Sequence, residues 1–572
     1  MNGNKTTATS SEERRMQRGI SVLAFFVPAF IMLVLFIIRG IYPFGDRSFL
    51  FSDMYHQYMP FLSEFVHKIK AGEGLFYSYN VGIGSNFLAL YVYYLASPFN
   101  WLVFLLPEGL IMEFMSYLVI LRIGLMGLTF SIYLRKVFGK EDPAALLFST
   151  AYALSGYLAA YNWNVMWLDC LILLPLILLG AERLVREGKW VMYTVTLGLC
   201  ILTNYYISIM ICIFLVLYFG MFLITEYYTM TEGQSRKARI VFGRIGRFAF
   251  ASLLAGGLAA VLLIPEVCAI LRTDFGNSDF PGTLESYFSV FDMLARHCLC
   301  VTTERGLEHW PNIYCGVAAF LLVPMYALNE KISVRKRFCN LALAGFLLLS
   351  FGTNVLDFLW HGLNYPDSLP ARQSFLYIFL ILVMCYDAFR NVEGTSPRQI
   401  IYGYLAAVIF LLACEKFVES EDFDTGIEVL TLVFVTIYGV LLYLYRTRKD
   451  ELTRQVLGIL VLACVVAELS INTFNTSLGT TGRSAYLGDQ EDYKALYALA
   501  QEQEGDDFFR IEKFTRKTKN DGTLTGYPTA SVFSSTMNSI VMDLYKMLGM
   551  RHSKVYYGFD GATAFVLSLI HI

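Results

Sequence analysis

The stretch FSDMYHQYMPF, Phe51 to Phe61, sets a carboxylate, an imidazole, a carboxamide and two phenols among Phe and Met. A carboxylate in that setting can take a proton from a hydroxyl group, and Tyr55, His56 and Gln57 can orient a polar ligand beside Asp53. The same spacing fits an N-cap, with Asp53 accepting from free backbone N–H groups at a helix start. On spacing alone the two readings weigh equally.

Other polar groups gather in stretches between apolar runs. Asn86 lies in FYSYNVGIGSNF; Asn162, Asn164, Trp167 and Asp169 share YNWNVMWLD; Asn204, Tyr205 and Tyr206 share TNYY. Asp274, His297, Glu304, Arg305 and His309 lie between 272 and 310, and Arg372 lies in LPARQ. Each has a plainer use. Gly82 and Gly84 lack the third glycine of a dinucleotide fingerprint and read as a turn. His297, Cys298 and Cys300 offer three metal-ligand types without a second half, so packing explains them better. Asn162 and Asn164 suit turns, and Asn204 with its tyrosines suits helix ends at a membrane surface. Arg122 stands mid-span, where a charge is costly and functional by default. Glu113 and Glu266, near span ends, are its candidate partners.

These residues are positioned by a mainly α, polytopic membrane bundle. The 572-residue chain is 56% apolar and 16% charged, against about a quarter charged in soluble domains. A net charge of −2 gives no case for nucleic acid. Apolar runs near 20–38, 111–134, 144–161, 170–182, 190–204, 207–226, 248–271, 311–328, 338–352, 374–389, 400–414, 427–445 and 455–471 make about thirteen spans. Most of the eleven cysteines fall inside these runs and read as small core hydrophobes. Arg14, Arg15 and Arg18 precede the first span, so residues 1–19 are expected in the cytoplasm. Connectors holding Arg135 and Lys136, Arg183 and Arg186, Arg244 and Arg247, Lys331 and Arg335, Arg390, and Arg446 form a basic set. They alternate with poorer connectors, one of them the acidic EKFVESEDFDTG. Parity then requires 39–110 to be one long external loop. Its apolar stretch 86–107, broken at Ser97-Pro98, lies in the interface or re-enters rather than crossing.

Residues 20–471 thus form the transmembrane domain, and 472–566 an exported α/β domain. The latter has a helical stretch at Asp492–Gln503, a strand-like FFRIEKF from Phe508 and a helical run near Met537–Leu548. It contains no cysteine, so no disulfide framework holds it. The ending LSLIHI, 567–572, matches a translated sequencing adapter, and a natural chain continuing beyond it is expected.

Taken in order, SDMYHQYMPF, GLFYSYNVGIGSNF, YYLASPFNWL, WLDCLILLPLILLGAERL, TNYYISIMI and LPARQSFLY resemble the YfhO-like family of bacterial membrane proteins. That family is similar to the C-type glycosyltransferases. The resemblance implies a multi-spanning enzyme that takes sugar from a polyprenyl-phosphate donor on the outer leaflet. It implies an essential acidic residue in the first external loop, and Asp53 is the matching position. It also links the family to glycosylation of teichoic or lipoteichoic acid in the bacterial cell envelope, with a donor-synthesising enzyme and a flippase as partners. Asp53 is then the base, or helps to hold a divalent cation. Arg372, with Arg305 as second choice, suits the lipid phosphate, because guanidinium offers a planar fork. Tyr55, His56, Gln57, Asn86, Asn162, Asp169, Asn204 and Tyr205 complete a substrate-binding set by location rather than by role.

Two other functional classes compete with a membrane glycosyltransferase. A transporter or flippase for a lipid-linked sugar places ionisable groups at midplane, whereas here polar residues crowd the outer connectors. A non-catalytic envelope scaffold needs no particular carboxylate at position 53.

Overall fold

The computed structural model describes residues 11–139, 142–233, 235–274, 279–366, 368–505, 507–513 and 515–559, with side chains from 19 onward. The stretch 567–572 and the first ten residues of the expected N-terminal tail lie outside the described residues.

Among the described residues, nine helices are long and apolar enough to cross a membrane: Gly19–Ile38, Glu108–Phe138, Ala144–Tyr161, Val165–Glu187, Tyr205–Thr231, Lys237–Ile270, Pro397–Phe417, Thr425–Thr447 and Glu451–Thr476. The other four expected spans are helices that fail that test. Val191–Thr203 and Ala319–Leu328 are short, with 13 and 10 residues. Val334–Phe351 opens on Arg335, Lys336 and Arg337, and Ser374–Arg390 has 17 residues. Apolar runs read along the sequence overstate span length where a loop residue is itself apolar. The stretch 86–107 is neither a straight span nor a plain loop. Phe87–Leu95 and Pro98–Leu105 meet at 97°. The break is local chemistry: Ser97 is extended, its hydroxyl accepts from the Phe99 N–H, and Pro98 starts the next turn.

Helix ends follow capping rules. Asn204 is extended and its side chain accepts from the Ile207 N–H, so it splits Val191–Thr203 from Tyr205–Thr231. Ser396 and Gln399 form a capping box ahead of Pro397–Phe417. Gly188 takes the left-handed conformation that ends Val165–Glu187 (φ 75°).

The centre of the bundle is Ala144–Tyr161 and Val165–Glu187, almost wholly enclosed, while Lys237–Ile270 and Glu451–Thr476 ride at the periphery. The outer helices show bare apolar side chains such as Leu253 and Val261, as lipid contact demands. Gly180 lets Val165–Glu187 approach the backbone at Tyr193, where an added Cβ would lie 2.6 Å from the Tyr193 nitrogen.

Arg122 is paired inside the bundle, but with neither Glu113 nor Glu266. Its Nε donates to Asp169 Oδ1 at 2.8 Å and its Nη2 to Ser97 Oγ at 2.9 Å. Glu113 pairs with Arg483 instead. The bend at Ser97 carries that hydroxyl inward, and Asp169 faces Arg122 from the first turn of the neighbouring helix. Glu182 accepts from Tyr133 and Tyr218, and Glu468 from Tyr314, Tyr438 and the Val317 N–H. Intramembrane carboxylates are therefore more numerous than the sequence suggested. Both are held by tyrosine hydroxyls.

The segment after the last long helix folds back on the connector 39–110. Arg47–Ser48 pairs antiparallel with Thr481–Gly482. Tyr486 donates to Tyr55 O, Thr518 and Asn520 donate to His56 O, and Arg510 donates to Ile83 O. Four short helices, Arg483–Leu487, Gln490–Glu504, Asp521–Thr525 and Ser539–Met547, accompany a sheet in which Tyr556–Tyr557 lies between Val532–Phe533 and His552–Ser553. FFRIEKF is not a strand: its described part, 508–513, has no ladder partner. Arg510 reaches Ile83 and Glu512 accepts from Thr529 and the Ala530 N–H, so side chains and one Ile511–Pro528 backbone bond anchor it instead.

Candidate functional site

One cavity of about 420 Å³ collects polar side chains from across the chain. Asp53, Gln57 and Tyr58 come from the first connector, Tyr93 and Tyr94 from the bent pair, and Asn164 and Trp167 from the YNWNVMWLD turn. Tyr205 and Tyr206 open their helix into it. His361 and Arg372 bound it from the connector 361–373, while Phe533, Ser535 and Val555 close it from the folded-back segment. It sits at the N-terminal end of Val165–Glu187. At the opposite end of that helix Arg183 and Arg186 share a separate cavity with Lys136. Three residues of the basic connectors and the polar cavity thus lie at opposite ends of that helix.

Asp53 does not cap. It precedes the π-turn Met54–Tyr58 in αR geometry, and its side chain makes no capping hydrogen bond. Ser52 before it holds φ 49°, a left-handed conformation costly for a residue with a Cβ. Burial pushes the Asp53 carboxyl up to about 6, and Arg372 offsets part of that shift through space. A carboxyl so tuned exchanges a proton near neutral pH.

Arg372 is clamped. Its Nε donates to Leu369 O at 3.0 Å, Nη2 to Ser368 O at 2.9 Å and Nη1 to Tyr206 OH at 2.7 Å. The guanidinium lies 5.4 Å from the Trp167 ring and 5.1 Å from that of Tyr206. Leu369 and Ala371 hold φ of 58° and 49°, and Tyr161 donates to Pro370 O at 2.7 Å. Left-handed non-glycine residues therefore flank both Asp53 and Arg372. Strain of this kind, about 1–3 kcal/mol per residue, collects at functional sites.

Of the residues singled out in the sequence, Asp53, Gln57, Asn164, Trp167, Tyr205, Tyr206 and Arg372 meet in the cavity. The others stand apart from it. Asn86 caps a short helix by accepting from the Ala89 N–H, and Asn204 caps as described. Asn162 donates to Ser477, and Asp169 is committed to Arg122. Tyr55 packs on Tyr486, and His56 sits between Tyr55 and Phe533. Arg305 supports the site at one remove: its guanidinium lies 4.8 Å from the Phe51 ring, and its backbone oxygen accepts from Leu369 N–H. Asn86 and Asn204 spend their side-chain oxygens on backbone N–H groups at helix starts, and Asp169 gives one carboxylate oxygen to Arg122.

Sequence reasoning missed Tyr93, Tyr94, His361 and Ser535 as cavity residues. Tyr93 and Tyr94 read as an interfacial aromatic belt. His361 carried the clearest usable signal, because it shares a polar connector with Arg372. Among the described residues no group of three or more His, Cys, Asp or Glu side chains is arranged to hold a metal ion. A divalent cation therefore has no ready-made ligand set beside Asp53.

Fold and cavity together define a multi-pass membrane protein with a polar, aromatic-walled chamber at one end of its helices. The chain belongs to the YfhO family of bacterial membrane proteins, whose model matches residues 24–572. It is 21% identical over 498 residues to the uncharacterized protein YfhO of Bacillus subtilis (strain 168), covering 82% of this chain and 54% of that relative. The chain thus spans about half the length of the curated relative it matches. Among solved structures it is similar to ArnT from Cupriavidus metallidurans bound to undecaprenyl phosphate. Identity there is 13% and the TM-score 0.36, over 96% of this chain and 98% of that one. The correspondence is too loose to carry a site from one to the other.

Proposed function

We propose that the cavity is the active site of a membrane glycosyltransferase. It moves a sugar from a polyprenyl-phosphate donor to a cell-surface polymer such as teichoic or lipoteichoic acid, on the outer face of the membrane. The observation that carries this reading is the meeting of a carboxyl raised to about 6 with a clamped arginine in one aromatic-walled chamber. The substrate class rests on the resemblance of the ordered segments to C-type glycosyltransferases.

The residues suit the chemistry. The acceptor hydroxyl oxygen attacks the anomeric carbon while the bond from that carbon to the phosphate oxygen breaks. Asp53 takes the hydroxyl proton, and the polyprenyl phosphate leaves with its charge facing Arg372. Two of the five guanidinium N–H groups remain for phosphate oxygens once the three observed bonds are made. The Tyr93, Tyr94, Tyr205 and Trp167 rings offer faces and hydroxyls for a sugar. The outer-face orientation, with the N-terminus in the cytoplasm, follows from the positive-inside rule.

The test is Asp53→Asn expressed in a cell that lacks the native protein, with sugar on the surface polymer as the readout. Loss of the sugar at normal protein level is expected. Undiminished glycosylation would sink the assignment.

A further inference from the structure

His361 lines the same cavity and has no place in the scheme above. Its ring is buried, with a side-chain exposure of 1%. One nitrogen is fully engaged: Nδ1 lies 2.8 Å from Asp357 O and 3.0 Å from Asp357 Oδ1. Both are acceptors, so Nδ1 carries a proton. Tyr287 donates to the other carboxylate oxygen of Asp357 at 3.2 Å, which fixes the acid from behind. The remaining nitrogen, Nε2, is buried and has no hydrogen-bond partner. A buried imidazole nitrogen left empty is uncommon and costly, because buried polar groups are nearly always satisfied. Its own helix, Asn354–Trp360, ends here, and Gly362 and Leu363 follow with φ of 74° and 64°. The chain is thus held in a left-handed bend between His361 and the LPARQ turn that presents Arg372.

We propose that His361 is a second phosphate ligand of the donor site. In the occupied state Nδ1 stays on Asp357 and Nε2, having taken one proton from solvent water as the anion binds, donates to a phosphate oxygen of the lipid-linked donor. The pairing explains Asp357, a buried carboxylate whose ion-pair partner among the described residues is His361. A buried acid of this kind is stabilised by a cation in contact with it. It also explains the empty Nε2, whose partner arrives with the anion. Arg372 and His361 then grip the phosphate from two points of one connector. The histidine orients the leaving group, while the acceptor proton still goes to Asp53 and no other proton moves in the transfer step. This inference rests on the glycosyltransferase reading for the identity of the ligand, since a phosphate anion satisfies Nε2 equally whether borne by a lipid or free.

The experiment measures binding, not transfer. Purified protein in detergent is titrated with undecaprenyl phosphate, with the corresponding polyprenol lacking phosphate, and with inorganic phosphate. Wild type is expected to prefer the lipid phosphate to the alcohol. His361→Gln and Asp357→Asn are each expected to lose about tenfold or more of that preference, the worth of one charge-assisted hydrogen bond, with affinity for the alcohol unchanged. Wild-type preference retained in folded His361→Gln overturns the histidine proposal and leaves the donor-site reading intact. A wild type that does not tell the phosphate from the alcohol overturns both. If inorganic phosphate alone shows the dependence on His361, the site serves a free anion and the lipid assignment falls. Should His361→Gln not fold, Asp357→Asn decides on the same criterion. It keeps a hydrogen-bonding group against Nδ1 while removing the charge.

Discussion

Replacing Asp53 by Asn should make this protein more stable while it removes transfer, and the gain should depend on pH. Burial raises the carboxyl from 3.8 to about 6 even with Arg372 opposing the shift. The folded state therefore holds the proton more tightly than the unfolded chain. Its contribution is fully favourable below the unfolded value of 3.8 and is lost as pH rises through about 6. Moving the carboxyl from 3.8 to about 6, at ~1.4 kcal/mol for each tenfold change in proton affinity, gives a penalty of roughly 3 kcal/mol above pH 7. Asn is nearly the same shape and never charges, so it escapes that penalty. The variant should match wild type near pH 3 and exceed it by up to ~3 kcal/mol near pH 8. The assay is denaturant unfolding in detergent, followed by tryptophan fluorescence at several pH values. The difference between the two proteins cancels other titrating groups. A difference that is flat with pH, or a variant that is less stable at pH 8, would refute the claim that this carboxylate is held charged at a cost.

Two further changes test the parts around it. Arg372→Lys keeps the charge but gives up the planar fork seated against Trp167 and Tyr206 and its three donors; donor affinity measured by titration should fall tenfold or more, and retained affinity would mean that charge alone suffices. Arg122→Met strands Asp169 inside the bundle and should cost about 3–5 kcal/mol, with Arg122→Met combined with Asp169→Leu recovering most of it; thermal unfolding of single and double variants reads this directly, and equal losses in both would assign the effect to packing.

The sequence shows the helices well because lipid contact demands long apolar runs, and it shows the break at Ser97-Pro98 because those residues stop a helix locally. It shows Asp53 as a carboxylate of interest without deciding between cap and ligand. That choice depends on which neighbours bury it, and Arg372 lies over three hundred residues away. The Arg122–Asp169 pair is hidden for the same reason, since each partner sits on a different helix and Glu113 and Glu266 looked equally available. Asn86, Asn162 and Asn204 resembled binding residues because polar turns and polar sites use the same side chains. FFRIEKF reads as strand-like, yet among the described residues 508–513 have no ladder partner, and the Ile511 N–H donates to Pro528 O instead. Nothing local announces that the segment after Thr476 returns to the first connector.

That return has a consequence in time. Asp53 is made early, but the wall formed by Phe533, Ser535 and Val555 is made about five hundred residues later. At ordinary synthesis rates the interval is on the order of a minute. Through it the helices can insert while the chamber stays open on one side, with Tyr55 O and His56 O lacking the donors Tyr486, Thr518 and Asn520. The last wall of the chamber is therefore completed only when nearly all of this sequence has been translated.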